Sequence, residues 1–99
     1  MNELKSRVIG IAWYQPDQWE RLLDISEDAS DLEDTYEEWQ SFTNKKIKQL
    51  KKQGFSVQKV TIDTEELLAW CNTYRIPVNS HSRSEFVTKK LRELSRDKK

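Results

Sequence analysis

The chain of 99 residues contains one histidine and one cysteine, so any nucleophilic thiol–imidazole pair has to be built from Cys71 and His81. Such a pair needs contact between the two groups and a lowered thiol pKa. Cys71 instead falls on the apolar stripe of a helical segment, between Leu67 and Tyr74, where a cysteine behaves as a small hydrophobe. His81 falls in the polar run Asn79-Ser80-His81-Ser82. A zinc site of the Cys/His kind is excluded within one chain on ligand count. A lone cysteine also excludes an intrachain disulfide and fits a reducing compartment.

Carboxylates are plentiful, with ten between Asp17 and Glu38 against a single arginine. A calcium loop needs oxygen ligands that converge around a tight, glycine-containing turn. Asp24, Asp28, Asp31 and Asp34 are three or four residues apart with no glycine among them, the spacing of one exposed helical face. No metal or other cofactor is therefore expected, and no pair of acids is singled out for proton transfer. Gly10 and Gly54 are the only glycines, which leaves no glycine-rich loop to cradle phosphates.

Charge is unevenly spread although it sums to zero. Residues 1–38 carry eleven acids and three bases, and residues 39–99 carry fourteen bases and six acids. Opposed faces of this kind guide a partner electrostatically. Within the long helical segment the same polarity complements the macrodipole, acids from Asp31 to Glu38 leading and Lys45 to Lys52 trailing.

Aromatic residues are the better lead. Trp13 and Tyr14 end the first strand segment, and the carboxyl ends of strands are where open α/β sheets bind ligands. Asp17, Trp19, Tyr36 and Trp39 complete a partner or ligand cleft there, with Tyr14-Gln15-Pro16-Asp17 as its exposed lip. The plainer reading of aromatics at helical spacing is that they fill the core.

These residues are positioned by a simple alternation of elements. Val8 to Tyr14 is a continuous apolar run with β-branched residues and reads as a strand covered on both faces. It lacks a small-residue cleavage site and is too short to span a bilayer, so neither a leader nor a membrane segment is expected. Pro16 opens a helix carrying Trp19, Leu22 and Leu23 on one face. After a polar linker, Ser30 and Glu33 read as a capping box for a long helix ended by Gly54. Phe55 to Ile62 is the second strand; its apolar residues change parity near Lys59, which predicts a bulge or a change of burial there. Asp63 opens a third helix that ends before Pro77, and Ser82 with Glu85 predicts the cap of a fourth, striped by Phe86, Val87, Leu91 and Leu94.

The order is β-α-α-β-α-α: an α/β fold with two parallel strands packed under about four helices, in a single domain spanning residues 1–99. A two-stranded sheet has open edges, and either strand paired with a copy of itself across a two-fold axis would give a homodimer with a four-stranded sheet.

Two resemblances add to this reading. Leu67, Cys71 and Tyr74, then Arg75-Ile76-Pro77-Val78-Asn79-Ser80, then Phe86-Val87 and Leu91, resemble the SAP helix-extension-helix module of nucleic-acid-binding proteins over about 30 residues. The linker departs from it, with Ser80-His81-Ser82-Arg83 where that family has a glycine and a lysine. The resemblance implies that Arg83, Lys89, Lys90, Arg92 and Arg96 face phosphates in a salt-dependent complex. The stretches Trp13-Tyr14, Gln18-Trp19 and Leu32-Glu33-Asp34-Thr35-Tyr36-Glu37-Glu38-Trp39 are similar to those of a family of short bacterial proteins. That likeness implies a bacterial, cytoplasmic setting and brings no activity or catalytic residue with it. The sequence thus points first to a non-enzymatic protein-interaction module, next to a nucleic-acid binder using the last two helices, and third to a small-molecule site at the aromatic strand end.

Overall fold

Alternation within the two strands decides what each helix covers. The computed structural model describes residues 8–97, with side chains as far as residue 94. β1 (Val8–Trp13) and β2 (Ser56–Thr61) form one parallel two-stranded sheet with Val8 opposite Ser56 and Trp13 opposite Thr61. Between them lie α1 (Trp19–Ile25) and α2 (Tyr36–Lys52), each preceded by a short 3-10 turn, Pro16–Gln18 and Ala29–Asp31. α3 (Thr64–Tyr74) and α4 (Ser80–Asp97) follow β2. The β-α-α-β-α-α order and the parallel pairing are those expected from the sequence.

Gly10 and Ala12 turn toward α4. A Cβ on Gly10 would meet Val87 Cγ1 at 3.0 Å and Leu91 Cδ2 at 3.2 Å, so the missing side chain is what lets α4 approach the strand. Trp13 lies on the opposite face, with its ring 5.0 Å from that of Trp39 on α2. Successive strand side chains point to opposite faces, so a helix on each side explains why β1 is apolar throughout. The same geometry accounts for the parity change in β2. The ladder is regular with no bulge; Val60 and Ile62 are 1% exposed, while Val57 on the other parity is half-buried.

Two helix starts differ in detail from the sequence reading. α2 begins at Tyr36 rather than Ser30, because the Thr35 hydroxyl accepts from the Glu38 N–H at 3.1 Å. Asp31, Glu33 and Asp34 therefore lie ahead of the helix, and only Glu37 and Glu38 occupy its acidic first turn. α4 begins at Ser80 rather than after Ser82: Asn79 Oδ1 accepts from Ser82 N–H and Ser82 Oγ accepts from Asn79 N–H, a reciprocal cap three residues upstream of the expected one. Asp63 caps α3 as expected, accepting from Glu65 and Glu66 N–H. The expected apolar stripes also overreach at their ends, where Tyr74 and Leu94 are 64% and 41% exposed.

The core joins Leu22, Val60, Ile62, Leu67, Cys71 and Phe86, all at most 2% exposed. Among the described residues no helix is long and apolar enough to cross a membrane.

Candidate functional site

Five of the six residues proposed for the cleft meet around one ring. Trp39 lies 5.0–5.4 Å, centroid to centroid, from Trp13, Tyr14, Trp19 and Tyr36. Each such pair contributes about 0.5–1.5 kcal/mol beyond its burial. Two polar tips tie the cluster to the backbone: the Tyr36 hydroxyl donates to the Tyr14 carbonyl at 2.9 Å, and Trp19 Nε1–H donates to the Glu33 carbonyl at 3.2 Å. Lys59 places its ammonium 3.9 Å from the Trp13 ring centre, closing the far face. Tyr14, Trp19 and Trp39 are 4%, 3% and 7% exposed, so these rings are core first. Burial pushes the Tyr14 phenol up to about 12, only partly offset by the nearby Arg83 charge. Asp17 stands apart on the exposed turn Pro16–Gln18 and is not in the lining of the groove that Tyr14, Trp19 and Trp39 share.

Gln15, Pro16 and Asp17, the expected lip, are exposed and do not line the main groove. A groove of about 830 Å³ runs instead beside β1, from Val8 to Tyr14, and the cluster forms one end of it. One wall is α2, through Phe42, Thr43 and Lys46; the other is α4, through Val87, Thr88 and Leu91. Phe42 and Val8 are 57% and 45% exposed on this groove. Phe42 departs from the Tyr36-Trp39-Thr43-Ile47 stripe, and a large apolar residue off the stripe is the one signal in the sequence that pointed here.

The groove follows a strand edge whose hydrogen bonds are open. The Trp13 carbonyl accepts from Ile62 N–H at 3.1 Å, so Trp13 faces β2. In a parallel ladder a residue turns both its N–H and its C=O the same way, and its neighbours turn theirs the other way. Gly10 and Ala12 therefore present N–H and C=O to the groove, and no other backbone among the described residues bonds to them. Tyr14 has the same orientation, and its carbonyl is the one that Tyr36 caps.

The electrostatics are polarised along the groove. At the β1 carboxyl end, Arg83 is held by Asp28 through two bonds of 2.8 and 2.9 Å, and Asp28 also accepts from the Ser80 N–H. Those bonds from Arg83 hold the Asp28 carboxyl below its usual range. Asp31 and Glu33, at the same end, take part in no ion pair among the described residues. Lys46 is the cation of the α2 wall.

The bases proposed for nucleic acid are mostly engaged with acids. Arg83 pairs with Asp28, Lys89 with Glu93, and Lys90 with Glu66 at 3.1 Å. Arg92 is exposed, and the Arg96 side chain lies outside the described residues. Cys71 is fully buried, whereas the His81 side chain is 82% exposed and faces Glu85 at 3.3 Å, so the two share no site.

Comparison with protein-family models, with curated proteins and with solved structures finds no match to this chain.

Proposed function

We propose that this chain is a non-enzymatic protein-interaction module that takes up an extended segment by strand addition along β1. One observation carries the reading: Gly10 and Ala12 turn their free backbone groups into a groove with apolar walls. Extended peptides add to exposed sheet edges in this way, main-chain bonds giving affinity and the flanking walls giving selectivity. The other edge is less suited to it, since β2 sets the charged Lys59 at its middle, a common guard against pairing. Burial of the single thiol fits a reducing, cytoplasmic setting.

The test places a photocrosslinking amino acid at Phe42 or Thr88, facing the groove, or at Gln53 outside it. Crosslinks to polypeptide from the first two sites only, lost in Ala12→Pro, are the expected result. Crosslinks to RNA, or saturable binding of single- or double-stranded oligonucleotides at low salt, would overturn it in favour of nucleic-acid binding.

A further inference from the structure

We propose that the segment received at the β1 edge belongs to another protein, enters without flanking helices, and carries lysine or arginine where it passes Asp31 and Glu33. This rests on the strand-addition reading above and specifies the chemistry of its partner.

The argument against a second copy of β1 is steric. α4 packs on β1 more than on β2, close enough that a Cβ on Gly10 would meet Val87 Cγ1 at 3.0 Å. Two β1 edges brought to ladder spacing lie about 4.8 Å apart. Their copies of α4 would then be carried closer together than the roughly 8–10 Å that packed helices need. A bare extended segment brings no such helix and fits between the α2 and α4 walls.

The argument for a basic residue is charge complementarity. Three carboxylates gather at the β1 carboxyl end of the groove, and Arg83 neutralises only Asp28. Asp31 and Glu33 remain to face whatever lies there. Toward the middle of β1 the walls are Phe42, Val87 and Leu91, which favour apolar side chains on the alternate positions.

The experiment is a selection of random twelve-residue peptides, displayed on phage, against the full chain, with affinities then read by fluorescence anisotropy. The expected pool alternates apolar residues and ends in Lys or Arg, binds at least tenfold more weakly to the double variant Asp31→Lys, Glu33→Lys, and is lost on Ala12→Pro. Val8→Pro, at the exposed start of the strand, is a second edge variant should Ala12→Pro fold poorly. If the pool needs the open edge but binds the charge-reversed variant equally well, the basic-partner inference fails and strand addition stands. If the pool ignores both proline variants, strand addition fails as well. Should nothing enrich, the inference is overturned, and light scattering identifies the cause: a dimer dissolved by Ala12→Pro means a second copy occupies the edge.

Discussion

Arg83 on α4 grips Asp28, 55 residues earlier, through paired bonds from Nη1 to Oδ1 at 2.8 Å and from Nη2 to Oδ2 at 2.9 Å. The side chains are only 12% and 16% exposed, and Ser26 Oγ and the Ser80 N–H complete the cluster. The pair ties the acidic loop after α1 to the start of α4, alongside the Glu27 N–H to Val78 carbonyl bond. Breaking one partner of a largely buried pair leaves the other uncompensated, so Arg83→Met or Asp28→Asn should lower stability by about 2–4 kcal/mol in urea unfolding at pH 7.

The same pair sets an acid limit. Hydrogen bonding from Arg83 lowers the Asp28 pKa in the folded state below its ordinary 3.8. A depressed folded pKa means the unfolded chain takes up the proton first as pH falls. The contribution is therefore complete above pH 3.8 and is lost as pH drops through the lower folded value. Unfolding curves of the parent chain and Asp28→Asn, apart at pH 7, should converge toward pH 2; a constant gap would contradict this.

Gly10 supplies a packing prediction. A methyl at this position would sit 3.0 Å from Val87 Cγ1 and 3.2 Å from Leu91 Cδ2, both on a helix tied down at its start by Arg83. Gly10→Ala should cost about 1–3 kcal/mol through overpacking, despite the usual gain from replacing glycine in a strand. Leu91→Ala should cost less in the Gly10→Ala background than in the parent chain, since it removes one of the two crowding groups.

Much of this frame was legible in the residues. The apolar run at Val8, the proline at 16, the glycine at 54 and the aspartate at 63 mark boundaries by local chemistry, and local chemistry is what a sequence displays. Ser30 and Ser82 misled because Ser-x-x-Glu is only permissive: the Trp19 indole claims the Glu33 carbonyl, and Asn79 caps α4 three residues earlier. The aromatic cluster was foreseeable from Trp39 and its neighbours, whereas the groove beside it left only Phe42, off the α2 stripe, as a signal. Its walls come from helices that begin 44 residues apart, and the Arg83–Asp28 clamp at its end has no periodic signature.

Tyr14 should show its burial in alkaline solution. Its phenol is raised to about 12, mainly by desolvation, while an unfolded tyrosine ionises near 10. The unfolded chain thus releases its proton first as pH rises. Tyr14's contribution is full below pH 10 and falls as pH climbs toward 12, by up to about 2–3 kcal/mol. Tyr14→Phe should therefore lose less stability than the parent chain across that interval, and an ultraviolet titration of the parent should show one phenol ionising late.

Arg75 ends α3 in the left-handed conformation, with φ of 56°. A side chain there costs roughly 1 kcal/mol that glycine avoids. The residue is exposed. Arg75→Gly should raise stability by about 0.5–1 kcal/mol, visible as a higher urea midpoint with an unchanged slope.

The strand-edge geometry makes its own prediction in the absence of any partner. Ala12 turns its N–H to the groove, whereas Ile11, one residue earlier, turns its N–H toward β2. Proline removes that donor in either position, but only at Ile11 is the donor part of the ladder. Ile11→Pro should cost about 3 kcal/mol or more and broaden the unfolding transition. Ala12→Pro, on an edge that tolerates proline, should cost at most about 1 kcal/mol. Amide exchange on the parent chain gives an independent check: Gly10 and Ala12 should exchange markedly faster than Ile9, Ile11 and Trp13. Equal protection along the whole strand would mean that the edge is already covered.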